Sequence, residues 1–416
     1  MAKKENKNVV YLPTADIKKA VKKFETPFFI YEEKKIRDNC RKFSQTFADK
    51  FPGFSPLFAI KANTNPDLLK IIFSEGFGAD ASSEAEAWIT QKLGSWGMYT
   101  GNYTKEAEFR FVKKSGMMIN LDDVSMLPTI KKIGTPEFIS FRVNPGISKG
   151  GMKSLFFAGP DAKYGVPAED VVSAYRKAKS IGVKRFGMHT MTGSNVLDEG
   201  YFPAVAGKLL DLAGELKKKL KIDLEYINIG GGFGVPYRPE EKSLDIKKVV
   251  SGLRKVFDQK CKEHGIVEPT LMAEPGRWIM ADCGWLVGQV NVIKDAYKKF
   301  AGIDCGMNDL PRPAIYDAYH HATVLGKPLT GKKEKISIVG RLCENNDQFA
   351  KDRMLPKIKI GDYLVIHNAG AHAYAMGHNY NNRLRSAEYL ITTKGAFKKI
   401  RRAETIADLF KTTNIK

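Results

Sequence analysis

At 416 residues the chain exceeds what one hydrophobic core normally serves, so two or three domains, or a barrel of roughly 250 residues with a smaller companion, are expected. A composition of 43% hydrophobic, 27% charged and 11% aromatic residues excludes a disordered, collagen-like or disulfide-stapled protein. The balance of 67 Lys and Arg against 46 Asp and Glu gives a formal charge of +21, but the lysines are scattered in short groups on helical faces. Lys18, Lys19, Lys22 and Lys23, then Lys217 to Lys219, then Lys332, Lys333 and Lys335 read as solvated surface rather than a nucleic-acid footprint.

No run approaches the ~20 apolar residues of a membrane span. The opening MAKKENKNVVYL is basic but carries no apolar stretch of signal-peptide length, so a cytoplasmic protein is expected. Five cysteines (Cys40, Cys261, Cys283, Cys305, Cys343) form no Cys-x-x-Cys pair. Neither a disulfide framework nor a metal site is expected, and small buried thiols are the default for all but Cys343.

From about residue 25 to 285, short apolar runs alternate with longer stretches of helical period. FFIY precedes EEKKIRDNCRKFSQTFADKF, and PLFAIKA precedes NPDLLKIIFSEGF. In the latter, Leu68, Leu69, Ile72 and Phe73 share one face, Pro66 suits the first turn and Gly76 the stop. The runs EFISFRVN, KRFGMHTMTG, EYINIGGG and TLMAEPGR follow, with FPAVAGKLLDLAGELKKKL as a helix between. This alternation predicts parallel strands with crossover helices, and some 260 residues fit an eight-fold (β/α) barrel or, failing that, a doubly wound sheet. Beyond residue 285 the texture turns β-rich. WLVGQVNVIKDAYKKFAGID, KISIVGRLC, IKIGDYLVIHNAGA and AEYLITTKGAFKKIRRAET are separated by turns, and only ETIADLFKTT reads as a closing helix. A second, antiparallel β domain is expected there.

In a barrel, chemistry gathers at the C-terminal ends of strands. Lys61 follows PLFAI directly; alone, its commoner meaning is an exposed helper, its rarer one a Schiff-base nucleophile. Gly230, Gly231, Gly232 and Gly234 close the strand YINI, where glycines let backbone N–H groups converge on an anion or simply make a flexible turn. Glu274-Pro275-Gly276-Arg277 ends TLMA; its carboxylate could be salt-bridged or could hold a ring nitrogen protonated. Lysine, glycine cradle and acid together suggest a pyridoxal phosphate site, since aldehyde, phosphate and pyridine nitrogen each need one partner.

With these motifs in hand, the chain resembles the alanine-racemase-like class of pyridoxal-phosphate enzymes and, within it, the diaminopimelate decarboxylases. The resemblance runs over nearly the whole chain, through FAIKANTNP, GFGADASSEAE, INIGGGFGVPY, AEPGRWIMADCG, GMNDLPRPAIYDAYHH, RLCENNDQF and NYNNRLRSAE. It implies a barrel over 26–285, with 1–25 and 286–416 forming the β domain. It also implies that Lys61 binds the cofactor covalently and that Ser194, Gly231, Gly232, Gly276 and Arg277 surround its phosphate. Glu274 would hold the pyridinium proton and Asp80 support the cofactor face. Arg312 and Tyr316, with Arg277, would grip a distal carboxylate. Cys343, near the proton-donating position, and Glu344, near the distal amine, would cross a homodimer interface.

Two positions depart from the family pattern. Its His-x-His-x-Gly-Ser reads His189-Thr190-Met191-Thr192-Gly193-Ser194, with methionine where an imidazole normally stacks on the ring, and His189 reads as a satisfied core histidine or a partial substitute. Its Gly-Ala-Tyr reads Gly370-Ala371-His372, so His372 would replace a phosphate-reaching tyrosine, with Tyr374 or Tyr380 as substitutes. The expected activity is decarboxylation of meso-2,6-diaminopimelate to L-lysine. The rivals are a D-lysine or D-ornithine decarboxylase, against which Arg277 and Arg312 argue, and a non-catalytic cofactor binder. A racemase lacks an assignable second-face tyrosine. Neither nucleic acid nor membrane is an expected partner.

Overall fold

The structure, a computed structural model, describes residues 14–147, 149–150, 158–328 and 330–415. The basic opening segment read from the sequence lies outside these residues. The chain divides into two compact units. One comprises Arg37–Val235 and Ser243–Trp278; the other comprises the described part of Met1–Ile36 with Pro236–Lys242 and Ile279–Lys416.

The first unit is a closed barrel. Its strands are β2 (Ser55–Ala59), β3 (Gly78–Ala81), β4 (Gly97–Tyr99), β5 (Met118–Leu121), β6 (Phe138–Asn144), β7 (Arg185–His189), β8 (Tyr226–Asn228) and β9 (Thr270–Ala273), the label β1 being kept for Phe28–Glu32. Each pairs in parallel with the next, and Met272 of β9 meets Ser55 of β2 to close the ring. The eight-fold barrel is therefore observed rather than the doubly wound sheet.

Helices between the strands form where capping and apolar spacing dictate. In Pro66–Ser74 the Asn65 side chain accepts from the Asp67 N–H at 3.0 Å and Pro66 occupies the first turn, where its missing donor is harmless. Leu68, Leu69, Ile71 and Ile72 are buried, Ile71 taking the place expected of Phe73, and Gly76 ends the element at φ +88. Helix Tyr201–Leu220 carries the Lys217–Lys219 run in its last turn, where positive charge suits the helix dipole. There Lys217 pairs with Asp223 and Lys219 with Glu215 in solvent.

The second unit is built on a nine-stranded sheet. After β1 come β10 (Gly284–Asp295), β11 (Lys299–Ile303), β12 (Ala322–Val324), β13 (Lys333–Val339), β14 (Gln348–Pro356), β15 (Tyr363–Ile366), β16 (Ala387–Ile391) and β17 (Phe397–Arg401). Its order is β14-β13-β11-β10-β1-β16-β17, with β15 between β10 and β12. The sheet is mixed, not antiparallel as the sequence suggested, because β1 runs parallel to β16 and β11 parallel to β13. The strand FFIY, read as the first barrel strand, also belongs here. Phe28 and Ile30 join Ile17, Ala20, Trp285, Val287, Val365 and Tyr389 in the unit's core, while Phe29 and Tyr31 are buried on the other face. A strand buried on both faces is an unbroken apolar run, which periodicity cannot assign to one sheet or another. The unit boundaries accordingly lie near 37 and 278, with 236–242 in the second unit. Among the described residues no helix is long and apolar enough to cross a membrane.

Trp285 is 1% exposed at the centre of the second unit's core, with its indole N–H on His367 Nδ1 at 3.2 Å. Trp285→Ala is expected to lower unfolding stability by about 3–5 kcal/mol, read from urea melts.

Candidate active site

Three barrel strands end in the residues picked out from the sequence. Lys61 lies in the single 3-10 turn Ile60–Ala62 after β2, Asp80 is the third residue of β3, and Glu274 follows β9. Because β2 pairs with both β3 and β9, these three stand side by side on the rim. Lys61 Nζ lies 3.9 Å from Asp80 Oδ2; the lysine side chain is 46% exposed and the aspartate 2%. Oδ1 of Asp80 is buried with no hydrogen-bond partner among the described residues.

Glu274 is sealed from solvent. Its Oε1 accepts from Asn228 Nδ2 at 2.8 Å and lies 3.0 Å from His189 Nε2. Burial alone pushes this carboxyl up, but the imidazole of His189, the Lys61 ammonium and the Asn228 amide outweigh it and hold Glu274 below its ordinary value. Asp80 goes the other way. Burial first, then the Glu274 charge, raise it well above the carboxylate range, with Lys61 opposing. Neighbouring carboxylates pushed apart in this manner divide roles: one stays an anion and the other is ready to hold a proton.

The glycine segment packs as a cradle. A Cβ on Gly230 would meet the Thr190 carbonyl at 2.2 Å, and one on Gly232, at φ +90, the Gly193 carbonyl at 2.8 Å. Gly276 is less confined, a Cβ there meeting those of Ala59 and Ala62 at 3.0 Å. The loops after β7, β8 and β9 thus meet, and Arg277 Nη2 donates to Ser194 Oγ at 3.2 Å. Met191 takes part here: its thioether accepts from the Gly231 N–H at 3.2 Å. Sequence reasoning missed Arg142, a buried guanidinium over the Tyr164 ring at 4.3 Å that donates to the Met191 carbonyl. It also missed Asn120, Ser140, Tyr226 and Asn228, polar residues inside apolar strands, which was the one signal available. An amine, an ionised acid and backbone N–H groups on one rim fit a pyridoxal phosphate group, the buried Asp80 oxygen and the cradle closed to any Cβ being the observations that carry the fit.

The remaining residues named from the sequence lie in the second unit. Arg312, 2% exposed, opens the short helix Arg312–Tyr316. Its guanidinium covers Tyr237 at 4.6 Å and its Nη1 lies 2.8 Å from His320 Nε2, while His320 Nδ1 donates to the His367 carbonyl at 2.8 Å. Tyr316 is half-buried. Cys343 is exposed, and its N–H donates to Asn381 Oδ1 at 2.7 Å. Asp347 shapes that loop by accepting from the N–H groups of Met307 and Leu342 at 2.6 and 2.9 Å, and Glu344 accepts from the Asn346 N–H. His372 is half-buried at φ +54. Tyr374 is buried with Arg385 and Arg401 over its ring, and Tyr380 is 51% exposed.

Residues 33–281 match the family model of the pyridoxal-dependent decarboxylase, pyridoxal binding domain. The diaminopimelate decarboxylase of Methanothermobacter thermautotrophicus is 38% identical over 405 residues, covering 96% of this chain and 94% of that protein. Among solved structures, diaminopimelate decarboxylase from M. jannaschii in complex with L-lysine superposes with a TM-score of 0.86 at 30% identity, covering 96% and 94% of the two chains. The Helicobacter pylori enzyme complexed with L-lysine does so with a TM-score of 0.86 at 27% identity, covering 95% and 98%.

A carboxyl whose folded value is raised penalises folding once pH climbs past its unfolded value, and the penalty is complete above the folded value. Asp80→Asn removes it. The variant's stability relative to wild type is therefore expected to be more favourable at pH 8 than at pH 4, measured by denaturant melts of the cofactor-free chain at both.

Proposed function

The chain belongs to the pyridoxal-dependent decarboxylases, and from that premise we propose that it converts meso-2,6-diaminopimelate to L-lysine and CO₂, the closing step of lysine synthesis, with pyridoxal 5′-phosphate as cofactor. The observation that carries this reading is the juxtaposition of Lys61, Asp80 and Glu274 on adjacent strand ends. The names of the relatives supply the substrate.

Lys61 would hold the cofactor through its aldehyde carbon, and Gly231, Gly232, Gly276, Ser194 and Arg277 would hold the phosphate. When bound, the cofactor supplies an electron sink for the pair that departing CO₂ leaves behind. Glu274 serves that sink by remaining an anion against the ring nitrogen. Asp80, whose Oδ2 lies 3.9 Å from Lys61 Nζ, would orient that amine. For the Gly231 N–H to reach phosphate, the Met191 thioether must release it. Arg312 is already oriented by Tyr237 and His320, so its planar fork is set to receive a distal carboxylate with Tyr316. The enzyme works as a cytoplasmic homodimer in which Cys343, exposed in its own chain, supplies the proton that replaces CO₂ in the partner's site and Glu344 meets the distal amine. His372 is retained as a contact to the phosphate.

Met191 favours a second reading. It stands where the family has an imidazole, so a decarboxylase of D-lysine or D-ornithine is the rival. CO₂ release from meso-diaminopimelate, D-lysine and D-ornithine separates the two: diaminopimelate alone should react, and preference for a D-diamino acid would overturn the substrate. Lys61→Ala should abolish borohydride trapping of the cofactor, and a trap that survived would move the covalent site. Arg312→Ala should raise KM for diaminopimelate about 100-fold, the effect of losing one charge-assisted carboxylate pair. Mixing inactive Lys61→Ala and Cys343→Ala chains should restore roughly a quarter of wild-type activity through hybrid dimers; no recovery would contradict shared sites.

A further inference from the structure

Arg312 is held by a ring whose proton can be placed from its partners alone. Arg312 Nη1 lies 2.8 Å from His320 Nε2, and His320 Nδ1 lies 2.8 Å from the His367 carbonyl oxygen. A guanidinium only donates and a carbonyl only accepts. Nε2 must therefore present its lone pair and Nδ1 must carry the hydrogen, which makes the ring the neutral Nδ1–H tautomer. The other neutral tautomer would set like against like at both contacts, and a doubly protonated ring would turn an N–H on the guanidinium. Each ring nitrogen has one in-plane position, and both are taken.

The sheet of the second unit fixes this arrangement from below. His320 is fully buried, and Arg312 and His367 are each 2% exposed. His367 directly follows β15, which pairs antiparallel with β12, and its own N–H donates to the His321 carbonyl at 2.8 Å. The carbonyl that receives His320 is thus anchored by strand pairing. The next residue secures the other side of the guanidinium. Asn368, 4% exposed at φ +54, donates from Nδ2 to the Pro236 carbonyl at 2.8 Å, beside the Tyr237 ring that Arg312 covers at 4.6 Å. The Tyr237 and His320 rings meet edge to face at 5.1 Å, and Arg353 Nη1 donates to the His320 carbonyl at 2.9 Å. Both supports of Arg312 therefore hang from two consecutive residues at the end of β15.

Resting on the reading of Arg312 as the grip on the distal carboxylate, we propose that His320 is a positioning residue: held as the Nδ1–H tautomer by the His367 carbonyl, it aims the Arg312 fork at that carboxylate and so sets affinity for it. The acceptor it offers is uncharged, so it orients the guanidinium without cancelling any of its charge. A carboxylate in its place would compete with the substrate's own. The bond that breaks lies at the opposite end of the substrate, so binding responds and turnover does not.

The test reads the tautomer by long-range 1H–15N NMR of the holoenzyme labelled in its histidine rings, the His320 signal being assigned by its loss in His320→Gln. It reads the consequence by calorimetric titration with L-lysine, the product that keeps the distal carboxylate, and by kinetics with meso-diaminopimelate. The hydrogen should lie on Nδ1. His320→Leu should weaken L-lysine binding and raise KM about tenfold, the loss of one hydrogen bond to a charged group, with kcat little altered. His320→Gln, whose Oε1 can accept where Nε2 does, should restore both to near wild type. A hydrogen on Nε2 would overturn the proposal. So would His320→Leu with unchanged L-lysine binding, or His320→Gln as impaired as His320→Leu. Should His320→Leu fail to fold, the tautomer and the L-lysine affinity of His320→Gln decide, a tenfold loss there counting against it. Arg312→Ala is titrated alongside. If it binds L-lysine as wild type does, the carboxylate reading itself fails, a result on which the ring tautomer does not depend.

Discussion

Keeping one carboxylate ionised while sealed inside a barrel is the constraint from which the rest of this site follows. An isolated anion at the depth of Glu274 would cost several kcal/mol, and the usual escape is to pick up a proton. Glu274 does not escape because Asn228 donates to it, His189 faces it and Lys61 stands nearby, each on a different strand. Only a closed ring of parallel strands brings donors from β2, β7 and β8 to a residue after β9. Asp80 takes the opposite share of the bargain: burial and the Glu274 charge push it up, leaving one acid that holds its charge and one that can receive a proton.

The same closure explains why residues spread from 61 to 277 meet on one rim. Loops after β7, β8 and β9 approach so closely that a side chain at Gly230 or Gly232 would strike a carbonyl, and backbone N–H groups are left to meet an anion. The second unit works by a different means. There Arg312 is stacked on Tyr237 and tied to His320, which fixes the plane of its guanidinium. The loop bearing Cys343 and Glu344 is drawn into shape by Asp347 through two backbone N–H groups. Each unit therefore uses buried polar side chains to hold its charged groups and loops in place.

Much of this was legible in the sequence because strand-end position, not residue type alone, marks a barrel's chemistry. Lys61, the glycine run and Glu274 each close an apolar strand, and Pro66 and Gly76 punctuate their helix as the spacing predicts. Other features were hidden for physical reasons. FFIY joins the second sheet because its register with β10 and β16 depends on residues about 250 to 360 positions away, and an apolar run buried on both faces carries no periodicity to betray its partner. The parallel pairing of β11 with β13 likewise made the sheet mixed against expectation. Asn120, Ser140 and Tyr226 looked like ordinary strand residues, since the hydrogen bonds that link them run across neighbouring strands. Met191 was visible as a departure, but its contact with the Gly231 N–H required the folded loop.

The most direct measurement is the protonation of the cofactor's ring nitrogen, read by 15N NMR with labelled pyridoxal phosphate bound to wild type and to Glu274→Gln. A protonated nitrogen in the wild type at neutral pH, lost in Glu274→Gln while the cofactor stays bound, is the result the account predicts. An unprotonated nitrogen in the wild type, or one equally protonated in Glu274→Gln, would contradict it.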